Sequence, residues 1–344
     1  MSDNGIDNSG IVLTGTITVS ISLISCFALI IIYIILCLQI KFNILSGNEE
    51  NKESIKKSIL DNGAGENSNK KDDKKIGLGS NFMFLLILSN FIGGIFELLL
   101  FLHFRATNGK LDEYFCTLLG VAHNFFEFNG ICWTTMLTYL FYCSTIVSHE
   151  IFYKETKYLI IGFLYSSLVS IIFGVGPLLN NYYGESKYLC FFRYSGEEGN
   201  DNFILFWNIC NATVIGLNCI LDCIFLFKTF VYYAKKTHIL KKQNEKEYRQ
   251  LSLYILVFRI FPFVVIITAI IKGSSRTIAY FLSEQNVLLK ILGYSNVIIH
   301  NLNGFLNSLA CFYFFKGVFW CCCTHEKNTS ECITEIPETD GLKD

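Results

Sequence analysis

Seven ionisable side chains lie inside stretches that otherwise hold almost no charge: Glu97, His123, Glu127, Asp222, Arg259, Lys290 and His300. His123 and Glu127 are four residues apart, which puts them on one face of a helix. Such a pair can line a cavity for a polar ligand, or the two can satisfy each other in a dry interior. Asp222 and Arg259 carry opposite charges and fall in neighbouring apolar stretches, a spacing suited to an ion pair. None of this is recognisable catalytic machinery. The chain has no phosphate-binding loop, no His-Glu-x-x-His and no Gly-x-Ser-x-Gly. Cys210, Cys219 and Cys223 fall within one stretch, without a second ligand set at zinc spacing. The expectation is a protein that is not an enzyme, with no metal and no cofactor.

The elements that hold these residues are set by composition. Of 344 residues, 52% are hydrophobic and only 17% charged, with a mean hydropathy of +0.42; a soluble domain carries about 25% charged residues. A net charge of −1 leaves no general basic field for nucleic acid. A hydrocarbon core about 30 Å thick needs roughly 20 apolar residues in a helix. Seven stretches meet that need, at 11–40, 81–104, 114–147, 158–177, 203–227, 251–271 and 288–315. Barrel strands would alternate apolar and polar residues, whereas Leu29-Ile-Ile-Ile-Tyr-Ile-Ile-Leu36 is apolar all round. The predicted fold is therefore an all-α membrane protein, a seven-transmembrane-helix bundle. The first stretch lacks a positive segment before it and is too long for a removable signal, so it is read as a spanning helix.

Seven crossings put the ends of the chain on opposite sides, and basic residues choose the side. With a short extracellular amino terminus (1–10), the inner segments 41–80, 148–157, 228–250 and 316–344 hold 20 Lys and Arg, against 6 in the outer segments. Cytoplasmic loops carry that excess, so the amino terminus is expected outside and the tail 316–344 in the cytosol. Of 14 cysteines, only Cys116 and Cys190 fall at or beyond the outer boundary. Disulfides form on the oxidising side, so the two are expected to bridge and pin the second outer loop to the third helix. The alternative is two free thiols.

By helical rise, His123 and Glu127 sit about 14 and 20 Å below the outer boundary, His300 about 18 Å and Glu97 about 10 Å. Ionisable groups at such depth need a partner or a water-filled cavity. They are candidates for a ligand pocket, with Trp133 deeper still, or for polar contacts that hold helices together. Lys290, Arg276, Lys272 and Arg105 supply cations near the outer rim. At the inner end, Asp222 and Arg259 are candidates for a bridge that either favours the resting arrangement or is permanently structural. Pro262 removes a helical hydrogen bond above Arg259 and kinks its helix.

On the cytosolic side, Lys235, Lys236, Lys241, Lys242, Lys246 and Arg249 cluster between the fifth and sixth stretches. Attraction to an anionic leaflet explains them, and contact with a G protein is the second reading. Loop 41–80 mixes 8 basic and 7 acidic residues with Asn, Ser and Gly and is expected to be a disordered insertion. Cys321, Cys322 and Cys323, next to Trp320 at the membrane, are acylation candidates.

Seven helices, an outer amino terminus and a cysteine joining helix three to the second outer loop resemble a G-protein-coupled receptor. Cys132-Trp133, Glu247-Tyr-Arg-Gln-Leu251 and Gly304-Phe-Leu-Asn-Ser308 resemble the cyclic-AMP receptor and cyclic-AMP-receptor-like family over roughly 80–316. Ile146-Val-Ser-His-Glu150 stands where rhodopsin-like receptors carry Asp-Arg-Tyr. The resemblance implies a multi-pass plasma-membrane receptor that passes an extracellular small-molecule signal, cyclic AMP or a relative, to a heterotrimeric G protein. The alternative is a seven-helix transporter. A third reading is a non-signalling scaffold or sterol-interacting membrane protein.

Overall fold

The computed structural model describes residues 8–61, 78–107, 112–143, 155–180, 183–185, 190–192 and 201–243, and helical positions between 295 and 312. Five long helices run in chain order: α1 (Asn8–Asp61), α2 (Leu78–Ala106), α3 (Glu113–Tyr142), α4 (Glu155–Ser170) and α5 (Asp201–Gln243). α4 continues into a π-helical turn, Ile171–Val175, and a 3-10 turn, Gly176–Asn180. An antiparallel hairpin follows, with β1 (Tyr183–Glu185) against β2 (Cys190–Phe192) and Tyr183 opposite Phe192.

Among the described residues, Val12–Gln39, Asn81–Ala106, Lys157–Leu179 and Phe206–Tyr232 are helices long and apolar enough to cross a membrane. They coincide with the first, second, fourth and fifth predicted stretches. Ile24, Phe163, Leu164 and Phe227 are among the large apolar side chains that face outward, as lipid contact requires. The protein is an almost entirely helical, membrane-embedded chain. The third predicted stretch forms α3, which is less apolar because it carries His123, Asn124, Glu127 and Asn129. Its surroundings account for this: α2, α4, α5 and both strands pack on α3, so protein covers much of its surface. Polar groups that would be costly against hydrocarbon are placed there against other helices.

Contacts fix the direction of each helix. Tyr33 donates to Asn81 at 2.6 Å, and Gly94 lies against Leu23 further up, so α2 runs back along α1. Phe82 meets Trp133 and Phe96 stacks on Phe126, so α3 reverses again. α4 opposes α3, with Gly162 at Trp133 and Gly174 at Phe125. α5 opposes α4 through Tyr165–Asn218 and Phe173–Trp207. Of the predicted seventh stretch, Asn301 bonds Gly15 and Thr18 while Ser308 lies 3.3 Å from Cys26, so this segment runs parallel to α1. Residues 251–271, the predicted sixth stretch, lie outside the described residues.

One expectation differs. Residues 41–61, expected to start a disordered loop, continue α1 to Asp61; 62–77 lie outside the described residues. Helix growth is costly to start and cheap to extend, and the apolar span is already a formed nucleus. Glu49, Lys52, Glu53, Lys56 and Lys57 fall at the three- and four-residue spacings that support a helix.

The main core joins α1, α2 and α3 through Leu29, Phe82, Leu86, Trp133 and Leu137. Where α4 passes into its π turn, the backbone comes very close to α3. A Cβ on Gly174 would lie 2.7 Å from the Phe125 Cα and 2.9 Å from its nitrogen, and backbone cannot step aside as a flexible side chain can. Gly216 on α5 has nothing within 4 Å of such a Cβ. Gly174→Ala is therefore expected to cost about 1–3 kcal/mol as an overpacking substitution. Gly216→Ala should be neutral or add up to about 1 kcal/mol. Thermal midpoints of the two purified variants in one detergent check the contrast.

Candidate functional site

α3 begins cleanly. Asp112 caps it by accepting a hydrogen bond from the Phe115 amide at 3.0 Å, and Glu113 follows in the first turn, where a negative charge is favoured. Nearly three turns on, the apolar face gives way to polar groups. His123 Nε2 lies 3.6 Å from Glu127 Oε2, and both side chains are largely buried. This is longer than a hydrogen bond and is an ion pair when the imidazole is protonated. The predicted i, i+4 juxtaposition is present. Since Phe96 stacks on Phe126, buried Glu97 on α2 stands near the depth of this pair.

Sequence reasoning did not find the residue that reaches this level from the hairpin between α4 and α5. Tyr183 of β1 is 1% exposed, although it comes from a loop between two spans. Its hydroxyl donates to the Gly174 carbonyl at 2.6 Å and accepts from the Asn124 side chain at 2.8 Å. Asn124 lies eleven residues into α3, so the phenol is held about 16 Å along the axis from the helix start at Glu113. The hairpin thus places an aromatic group in the bundle, one residue from His123. A three-residue strand with a single inward tyrosine has no periodicity to betray it.

Cys116 is fully buried and takes part in a disulfide. Cys190 opens β2, which packs against α3. Trp133 packs edge-on to Phe82 and over Gly162, so its place is in the main core. His300 and Lys290 lie outside the described residues.

A second polar cluster lies toward the carboxyl-terminal end of α3. Asp222 on α5 is 1% exposed and accepts from Thr138 Oγ1 at 2.7 Å. Thr135, one turn up α3, stands beside the same carboxylate. Tyr165 reaches from α4 to Asn218 at 2.8 Å and also lies next to Cys132. The three threonines Thr134, Thr135 and Thr138, all buried, were the unused signal for this cluster. Arg259, the predicted partner of Asp222, lies outside the described residues. Further along α5, Lys228 sits 5.6 Å over the Tyr142 ring. Past Tyr232, α5 continues to Gln243 and carries Lys235, Lys236, Lys241 and Lys242, with Lys235 exposed. Cys321, Cys322 and Cys323 lie outside the described residues. Among the described residues, no group of His, Cys, Asp and Glu is arranged to hold a metal ion.

The stretch Gly304-Phe-Leu-Asn-Ser308 has a packing role. A Cβ on Gly304 would strike Ser22 Oγ, and Cys26 Sγ lies 3.7 Å from the Gly304 carbonyl. The missing side chain lets this segment close against α1.

Tyr183→Phe removes the hydroxyl but keeps the ring. It strips a partner from the Asn124 amide and from the Gly174 carbonyl, both buried, and should cost about 1–3 kcal/mol. A lowered thermal midpoint, with faster hydrogen exchange in β1 and the π turn, is the expected outcome. No protein-family model and no curated protein matches the chain, so what it does has to be read from these residues.

Proposed function

We propose that the chain is a seven-helix cell-surface receptor of the G-protein-coupled type, similar to the cyclic-AMP-receptor-like proteins, with its amino terminus outside. The observation that carries this reading is the direction of the segment beside α1. α5 and the 295–312 segment run the same way, so the chain between them has to return to the opposite face. The apolar stretch 251–271 is the crossing that the sequence offers for that return. With it, the seventh helix closes the bundle on the first through Asn301, Gly304 and Ser308.

In this reading the hairpin between α4 and α5 is the second outer loop, and the partner of Cys116 is Cys190. The bridge holds β2 to the outer part of α3 while β1 delivers Tyr183. A small polar molecule enters from outside and is met by His123 and Glu127, with Glu97 and His300 from neighbouring helices and Lys290 at the rim. It acts by binding one arrangement of the bundle more tightly than the other. The basic end of α5 faces the cytosol, where it contacts a heterotrimeric G protein beside the anionic leaflet. A transporter reading draws no support from the broken helices: the π turn and Pro177 end the fourth stretch, whereas Pro262 interrupts the middle of the sixth, and repeated halves would place their breaks in corresponding positions.

The test is G-protein dissociation in cells expressing the full chain, challenged with cyclic nucleotides and a small-molecule panel. Glu127→Gln and His123→Asn are expected to shift the half-maximal ligand concentration roughly 10- to 100-fold at unchanged surface expression, the effect of losing a buried polar contact. Cys190→Ser should abolish surface delivery or response. A ligand response unchanged in both α3 variants would remove the pocket, and solute uptake without G-protein response would favour transport.

A further inference from the structure

The carboxylate of Asp222 is only half accounted for. Oδ1 accepts from Thr138, but Oδ2 is buried with no hydrogen-bond partner among the described residues. The same holds for Thr135 Oγ1, buried on the facing side of α3. The two groups are close enough to interact, yet neither satisfies the other. An uncompensated charge at this depth is among the costliest arrangements a membrane protein can hold.

Among the described residues, the surroundings supply no compensating charge. The groups near Asp222 among the described residues are Thr135, Thr138 and Cys132 on α3, Tyr165 on α4, and Cys219 and Cys223 on its own helix. All are neutral hydrogen-bonding or thiol groups. Lys228, the next cation along α5, is committed to the Tyr142 ring. What is present is a buried cluster of oxygens: a carboxylate with one open oxygen, a hydroxyl with no hydrogen-bond partner, and a second hydroxyl already turned toward the carboxylate. Oxygen donors of this kind suit hard cations. Divalent ions take several carboxylates or keep a large water shell, and a single carboxylate balances one positive charge.

We propose that Asp222 Oδ2 and Thr135 Oγ1, with Thr138 behind them, form a binding site for a small monovalent cation, sodium, between α3 and α5. The ion ties the inner half of α5 to α3 and neutralises the buried carboxylate. The site is separate from the outer pocket and does not depend on whether the protein signals.

The test uses purified full-length protein in detergent or nanodiscs. Its thermal midpoint is followed as choline chloride is replaced by sodium chloride at constant ionic strength, with potassium as comparison. A saturable, sodium-selective rise is expected, since an ion that binds only the folded state stabilises it. Asp222→Asn should lose the rise. Thr135→Ala removes an unengaged hydroxyl, so it should fold normally and need about tenfold more sodium or more for half the effect. Arg259→Gln should keep the sodium response. Three results would overturn the site. One is a wild-type midpoint indifferent to sodium. Another is sodium sensitivity that emerges only in Arg259→Gln, which would make the guanidinium the occupant. The third is a midpoint that follows pH and ignores sodium, which would make the occupant a proton. If Asp222→Asn does not fold, the Thr135→Ala titration decides.

Discussion

A carboxylate, amide or hydroxyl inside hydrocarbon has only protein to bond to, and α3 is where this chain gathers such groups. Asn124, Thr134, Thr135 and Thr138 are all buried on it, as is most of the His123–Glu127 pair. The rest of the described fold follows from enclosing that helix. α2 and α4 lie along it in the opposite sense, α5 lies along it in the same sense, and the hairpin after α4 closes on its amino-terminal half. The apolar residues left over point outward on α1, α4 and α5.

Close approach is the second condition. Polar groups on neighbouring helices meet only if their backbones come near enough, and glycines supply the space. Gly174 lets the π turn of α4 rest on the Phe125 backbone, and that same turn presents the carbonyl that Tyr183 bonds. Gly130 lies against Asn90, and Gly304 against Ser22. Each pairs a missing side chain with a polar neighbour, so packing and hydrogen bonding are settled by one residue choice. The seating of Tyr183 therefore depends on α4 being irregular at its end: a regular helix there would point the Gly174 carbonyl along its own axis.

Much of this was legible in the sequence, and for definite reasons. Apolar runs of about 20 residues can be little else than spanning helices, so α1, α2, α4 and α5 appear where hydropathy puts them. The His123–Glu127 contact follows from four-residue spacing alone. What escaped was set by tertiary structure. Tyr183 is one inward residue on a three-residue strand, and only the hairpin's docking on α3 makes it internal. Asp222 was legible as a buried acid, but its bond to Thr138 depends on α5 running parallel to α3, two helices apart in the chain. The π turn has no compositional mark beyond Gly174 within it and the Gly176-Pro177 pair that follows. The helical stretch 41–61 reads as a polar linker when composition is weighed without the span that nucleates it. Arg259, Lys290, His300 and the three tail cysteines are proposals that rest on sequence position.

The length of α1 has a mechanical corollary. It holds 54 residues, of which Val12–Gln39 suffice to cross a bilayer. The 22 residues beyond that span, from 40 to 61, carry the rod about 33 Å further. α5 runs parallel and overshoots in the same direction, from Tyr232 to Gln243, by about 16 Å. The two overhangs emerge from one face and differ in height by roughly a factor of two. Any bulky molecule that settles on the shorter one has its tilt constrained by the taller, so this face admits visitors from a restricted range of angles.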